Sequence, residues 1–360
     1  MKRRSSIELL KIFTIMLIVL SHCVQSFNLP VGVASKDTIE LSFNFIRCFG
    51  QFGNIVFIVC SFWFLLEKET SNVKKIFILV VDVFWVSIVC LSICAIFHVD
   101  FSNIELIKQF APVLFENNWF INCYILLYLL YPVLNKIIYS MSKIQLFRTN
   151  LLMFYLFSIL QFVLKGNYFF NELIGFVYIY FIVAFVKLHV KKIHSNYKFN
   201  LVMFIAGFLG NTMLILITNF LGLRIVFMKT LVLYWNFNIA NPFYIAMALS
   251  LFLLISNINI QNSAINYVSS LTLFIYLFHE NYLFRTYVRP WLCEHFLKYN
   301  SNYISSLFMV FVIVFVLSVL ISIIYFETVH KIVSEFIGKT YDKLVRKYKM
   351  IENLIVNRIE

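Results

Sequence analysis

The sequence predicts an all-α fold, a polytopic integral membrane bundle of about ten transmembrane helices with both termini cytoplasmic. Three observations carry this. The 360 residues are 61% hydrophobic and 13% charged, with a mean hydropathy of +0.86; soluble domains carry about 25% charged residues. Apolar windows of about 20 residues, long enough to cross the hydrocarbon core, recur from end to end. Basic residues collect at alternate ends of those windows, as membrane orientation requires.

The spans fall near 7–27, 45–66, 74–98, 118–138, 150–164, 169–188, 199–219, 230–256, 265–284 and 303–326. The first resembles a signal peptide, with Lys2, Arg3 and Arg4 ahead of it. It is too long for one, and Cys23-Val24-Gln25 is not a small-residue cleavage site, so an uncleaved first helix is expected. The fifth window is short. The eighth contains Asn236, Asn238 and Asn241-Pro242, and Pro242 is expected to kink that helix rather than end it.

The net charge of +13 would suggest nucleic acid in a soluble protein. Its distribution points elsewhere. With the N-terminus inside, the inner side holds Lys2, Arg3, Arg4, Lys68, Lys74, Lys75, Lys136, Lys143, Arg148, Lys187, Lys191, Lys192 and Lys198. The outer side holds fewer: Lys36, Arg47, Lys108, Lys165, Arg224, Lys229, Arg285, Arg289 and Lys298. Lys331 to Arg358 then add a basic, amphipathic stretch on the inner side, expected to lie on anionic lipid. Membrane lipid is the expected partner, and nucleic acid is not.

Seven cysteines lie mostly within spans, which makes a disulfide framework improbable. No CxxC and no His/Cys cluster with zinc spacing occurs, so no metal is expected. There is no repeat and no Gly/Ser or Pro-rich linker. The chain divides into a transmembrane domain, 1–330, and a cytoplasmic tail, 331–360.

With no soluble domain, chemistry must use polar residues in or at the ends of spans. In the first helix Lys11 and His22 lie eleven residues apart, about three turns plus 20°, so both project from one face about 16.5 Å apart. Glu8 shares that face, and Ser21 roughly does. The pair could hold the two ends of one long ligand. The spacing equally fits a Lys11 that snorkels to the inner surface and a His22 that merely ends the span.

Four segments, taken together, resemble the acyltransferase 3 family of membrane acyltransferases, in the expected order over helices one to nine. Ile7-Glu8-Leu9-Leu10-Lys11, then Ser21-His22, is similar to the family's first helix, where an Arg and a His are separated by ten residues. Gly53 to Ser61 resembles its second-helix segment. Trp119-Phe120-Ile121 with Tyr124, Leu127, Tyr128 and Pro132-Val133-Leu134-Asn135 matches its fourth-helix pattern. Phe274 to Asn281 matches the segment near helix nine, in a form typical of bacterial exopolysaccharide acetyltransferases. The chain departs from the pattern twice. Lys11 replaces the family Arg, keeping the charge but losing the two-pronged donor, and Phe62 replaces the Gly after Ser61.

The resemblance implies transfer of an acetyl group from acetyl-coenzyme A to a hydroxyl of a cell-surface or lipid-linked polysaccharide, at the plasma membrane. No cofactor is permanently bound; acetyl-coenzyme A is the donor and a glycan or lipid-linked oligosaccharide the acceptor. Whether the chain forms a homo-oligomer stays open. His22, His279 and Glu280 are the implied catalytic residues, and Lys11 the implied contact for a coenzyme A phosphate. His22 would act as general base on the hydroxyl or accept the acetyl group transiently.

Trp119, Asn122 and Tyr124 offer an aromatic platform with an amide for a sugar, though interfacial belts are equally rich in Trp and Tyr. Arg285, with Arg289, could clamp an anionic group of the acceptor; solvated loop charges are the plainer reading of both. Asp82, the carboxylate deepest within a span, is expected to pair with an inner-side lysine and carries no assigned role. Many relatives append an extracellular hydrolase-like domain. Here the chain ends at Glu360 without a GxSxG segment, which implies the shorter class.

The competing class is a transporter or flippase for a lipid-linked glycan. Such proteins use broken helices in paired halves, and helix eight has no matching half. A glycan polymerase would be expected to carry a large Arg-rich outer loop.

Overall fold

In the computed structural model, residues 4–29, 33–115, 117–161, 170–225 and 238–344 are described. Among them every regular element is helical: α1 (Ser5–Val24), α2 (Thr38–Leu65), α3 (Val73–Ile96), α4 (Asn103–Phe110), α5 (Trp119–Ser140) and α6 (Lys143–Phe154). There follow α7 (Glu172–His189), α8 (Tyr197–Arg224), α9 (Pro242–Ser256), α10 (Ser263–Ser270), α11 (Thr272–His279), α12 (Arg289–Tyr299) and α13 (Tyr303–Tyr325). Seven helices are long and apolar enough to cross a membrane: α1, α2, α3, α5, α7, α8, and α13 with its continuation to Leu344. This is a polytopic helical membrane protein.

The other three expected windows are occupied differently. At 150–164, α6 widens into a π-type turn over Tyr155–Leu160, where the Ser158 hydroxyl donates to Ala240 O at 2.6 Å. Residues 162–169 lie outside the described set. At 230–256 the helix starts at Pro242, which corrects the expected kink. Asn241 is its N-cap, accepting from Phe243 N at 2.9 Å. The reason is local: proline at the first helical position lacks only an N–H that would have no intrahelical partner, and its fixed φ suits the first turn. Asn236 and the first part of this window are likewise outside the described residues. At 265–284 the segment is broken into α10 and α11, then turns after His279.

Helix α1 is the axis of the site, and small residues let α2 approach it. A Cβ on Gly53 would stand 2.6 Å from Ile18 Cγ1, and one on Gly50 would stand 2.4 Å from Ser21 Oγ. Larger side chains there would force the helices apart, as at other small-residue contacts between membrane helices. Ser21 Oγ donates to Arg47 O at 2.7 Å, so it faces α2. On its other side α1 runs parallel to α10 and α11. Ser5 Oγ donates to Asn266 Oδ1 at 2.9 Å, Ser269 donates to Glu8, and His22 meets His279.

The motif residues of α5 hold the far end of α2. Asn135 Nδ2 donates to Leu65 O at 3.1 Å and Lys68 O at 2.8 Å, and the Tyr180 hydroxyl donates to Asn135 Oδ1 at 2.6 Å. The helix-end carbonyls, which lack intrahelical partners, are thereby satisfied. Phe62, where the family has Gly, is fully buried against Phe176 and Tyr180.

Asp82 pairs with neither Lys68, Lys74 nor Lys75. Its carboxylate lies 2.9 Å from His330 Nδ1 and accepts from the Tyr325 hydroxyl at 2.8 Å, bracing α3 against the end of α13. The helix continues through 331–344, with Lys74 3.3 Å from Asp342 and Phe77 against Tyr341. Residues 345–360 of the tail lie outside the described set.

Candidate active site

The site is built around a turn. Helix α11 stops at His279, whose Nδ1 donates to Ile275 O at 2.6 Å. Two residues on, the Asn281 side chain bends the chain by accepting from Leu283 N at 3.0 Å. Its amide also donates to Ser87 Oγ on α3 at 3.3 Å and Gln109 Oε1 on α4 at 3.2 Å. The turn is therefore pinned from two neighbouring elements. Helix α4 is itself fixed by a capping box between Ser102 and Glu105. Glu105 accepts from Tyr287 at 2.9 Å and Tyr282 at 3.2 Å. The Ser102 backbone N–H, then these hydroxyl donors, hold the Glu105 carboxyl below its usual range.

What the turn presents is Glu280, and it presents it to His22. Glu280 Oε2 lies 2.8 Å from His22 Nδ1. The same Nδ1 donates to His279 Nε2 at 3.0 Å, with the two rings stacked 5.2 Å apart. Arg285 Nη1 sits 3.1 Å from Glu280 Oε1, and Arg289 Nη2 sits 3.4 Å from Oε2. His279 is fully buried, Glu280 and His22 nearly so.

The partners assign the tautomers. His279 Nδ1 faces a carbonyl, which can only accept, so Nδ1 carries the proton and Nε2 the lone pair. His22 Nδ1 faces that lone pair and a carboxylate, so it too is the protonated nitrogen. His22 Nε2, which has no partner among the described residues, is left with a lone pair. An imidazole held at Nδ1 by a carboxylate and bare at Nε2 is a general base, and the carboxylate stabilises the imidazolium formed when it takes a proton.

His22 Nδ1, His279 Nε2 and a Glu280 oxygen lie within 4.8 Å of one another, so by donor type they could hold a cation. The two guanidinium groups on the same carboxylate weigh against it, because their charge repels a cation there. The contacts between the three residues are those of a hydrogen-bonded relay.

The unbroken helix from Ser5 to Val24 keeps Lys11 and His22 on one face, three turns apart. Lys11 Nζ lies 3.4 Å from Glu8, which also accepts from Ser269. Its side chain is about a quarter exposed and carries its own counter-charge. Trp119, Asn122 and Tyr124 stand further off. Trp119 is linked to the histidines through rings, packing on Phe120, which packs on Tyr276, which packs edge-on against His279. The Asn122 amide donates to Val113 O at 2.8 Å, tying α5 to the preceding loop, and the Tyr124 ring packs against Tyr128.

Four site residues were missed or undervalued by the sequence reading. Arg289, read most plainly as a solvated loop charge, is 3% exposed. Gln109 and Ser87 gave no signal, being single polar residues among many. Asn281 stood within the helix-nine motif, and a turn residue directly after His279-Glu280 was the available clue.

The family model described as an acyltransferase domain matches residues 4–327, and so spans every element of this site. The chain belongs to the acyltransferase 3 family. It is a membrane acyltransferase, and the His22, His279 and Glu280 cluster lies wholly within the matched region. No curated protein and no solved structure matches it. Within the family pattern, the first-helix and ninth-helix segments of this acyltransferase meet at His22 and His279-Glu280.

Proposed function

We propose that this acyltransferase moves an acetyl group from acetyl-coenzyme A to a hydroxyl of a cell-surface or lipid-linked polysaccharide at the plasma membrane. The observation that carries the reading is the His22–Glu280 pair, which leaves His22 Nε2 free to take a proton from an acceptor hydroxyl. A hydroxyl attacks a thioester only as it loses that proton, so a base at the attack point is what the reaction needs.

Lys11 supports the choice of donor. A cation near the expected cytoplasmic end of α1 suits the phosphates of coenzyme A, and a pantetheine arm is long enough to follow the helix face toward His22. The net positive balance around Glu280, one carboxylate against two guanidinium groups, favours negative charge developing nearby.

The test uses purified protein and labelled acetyl-coenzyme A, with the cell-envelope fraction as acceptor. Label should pass to polysaccharide, and proton NMR of surface glycan should lose its acetyl methyl signals when the gene is deleted. A flippase would move glycan and leave acetyl-coenzyme A intact, which would overturn the reading.

A further inference from the structure

Arg289 is buried in a way that the ion pair with Glu280 does not explain. It opens α12 with 3% of its surface exposed, yet only Nη2 reaches the Glu280 carboxylate, at 3.4 Å. Nε and Nη1 are buried and have no hydrogen-bond partner among the described residues. Arg285, by contrast, is a third exposed, meets Glu280 at 3.1 Å and lies over the Tyr282 ring. A buried guanidinium with two idle nitrogens is costly, because water has been removed and nothing has replaced it.

Most backbone donors of the neighbouring turn are already used. Glu280 N is taken by Tyr276 O, Asn281 N by Phe278 O, Leu283 N by the Asn281 side chain and Arg285 N by Asn281 O. An acyl transfer needs a donor for the carbonyl oxygen as it becomes negative, commonly the largest single contribution to such catalysis.

We propose that Arg289 is that donor, its Nε and Nη1 receiving the acyl carbonyl oxygen while His22 receives the acceptor's proton. The inference rests on the acyl-transfer reading above. In the step, the acceptor oxygen bonds to the carbonyl carbon as its proton passes to His22 Nε2. The carbonyl electron pair moves onto oxygen, opposite Arg289. The pair then returns, the carbon–sulfur bond breaks, and the His22 proton goes to the coenzyme A sulfur. Glu280 is shared by base and donor: it orients the imidazole through Oε2 and holds one edge of the guanidinium at the same atom.

The experiment compares wild type, Arg289→Lys, Arg289→Gln and Arg289→Ala in lipid nanodiscs. Release of coenzyme A from acetyl-coenzyme A is followed with a thiol reagent, with and without the envelope fraction, beside a thermal melt of each variant. Arg289→Gln should lower kcat by about 10²–10³-fold with the KM for acetyl-coenzyme A within about threefold. Guanidinium ion should restore part of the Arg289→Ala rate, which a purely structural role would not allow. Arg289→Lys, with fewer donors, should fall between.

A kcat within about threefold of wild type in folded Arg289→Gln overturns the proposal. So does a loss confined to the KM for envelope glycan, which would assign Arg289 to an anionic group of the acceptor. If Arg289→Gln does not fold, the Arg289→Lys rate and the guanidinium response decide. Wild type that releases no coenzyme A under any condition would instead remove the acyl-transfer reading itself.

Discussion

His22 Nδ1 stands 2.8 Å from Glu280 Oε2, joining α1 to the turn that follows α11. The contact depends on three supports. Gly50 and Gly53 seat α1 against α2, Ser5 and Glu8 bond α1 to α10, and Asn281 fixes the turn that carries Glu280. None of these touches the others, so the site is held by the packing of the whole bundle rather than by any one loop.

His22→Ala should lower acetylation about 10²–10⁴-fold while leaving folded, inserted protein, because only one polar side chain at a span end is truncated. Glu280→Gln keeps the shape but removes the charge that steadies the imidazolium, and should cost nearly as much. If the two act as one unit, the double variant will be no slower than His22→Ala alone. Additive losses, read from initial rates of coenzyme A release, would mean that Glu280 works independently of His22.

Much of this was legible in the sequence because it depends on fixed periods. Lys11 and His22 share a face wherever the helix is regular, and α1 is unbroken. His279-Glu280 could be placed at the depth of His22 by counting span lengths. Arg289 could not, because its burial depends on α12 folding back beside α13, a contact between segments that share no local signal. Asp82 was misassigned for the same reason: its partner His330 is 248 residues away, while lysines near in sequence looked closer. Pro242 was misread because a proline inside an apolar window looks like a kink until Asn241 is seen to cap the helix that it begins.

Chelation should leave activity unchanged. Arg285 and Arg289 already neutralise Glu280, and His22 Nδ1 is used by hydrogen. Dialysis against EDTA followed by the coenzyme A release assay checks this. Loss of activity restored by zinc would show that the three donors bind a metal after all.

Topology mapping should place both termini on one side. Ser5 is bonded to α10, and α10 in turn to the end of α13, through Tyr267 and Glu327 at 2.9 Å, so Ser5 and Glu327 lie at one end of the bundle. Reporter fusions after Lys75, Arg148 and Lys198 are expected inside, and those near Lys36, Glu105 and Lys298 outside. Termini on opposite sides would require a different number of passes.

Asp82→Ala should destabilise the protein without acting on the chemistry. The carboxylate is 2% exposed and pairs with His330 and Tyr325 rather than with the histidine cluster. Removing one partner of a buried pair costs about 3–5 kcal/mol. The melting temperature should fall clearly, while the rate per folded molecule stays near wild type. A lost rate at an unchanged melting temperature would move Asp82 into the site.

Lys11 offers the sharpest test of the geometry along α1. If it holds a phosphate three turns below His22, Lys11→Arg should retain activity, since the charge is kept and a second donor edge is gained. Lys11→Gln should raise the KM for acetyl-coenzyme A by roughly tenfold, about 1.4 kcal/mol, with kcat less affected. Glu8 sharpens the expectation: it already sits 3.4 Å from Lys11, so a phosphate must compete with it. Glu8→Gln should therefore tighten donor binding if the fold survives loss of the bond from Ser269. Moving the lysine one place, as Lys11→Ile with Ile12→Lys, turns the charge about 100° away from the Glu8 and His22 face and should fail as Gln does. A snorkelling lysine would reach the inner surface from either position, so normal acetylation by the shifted variant would refute the shared-face role of Lys11.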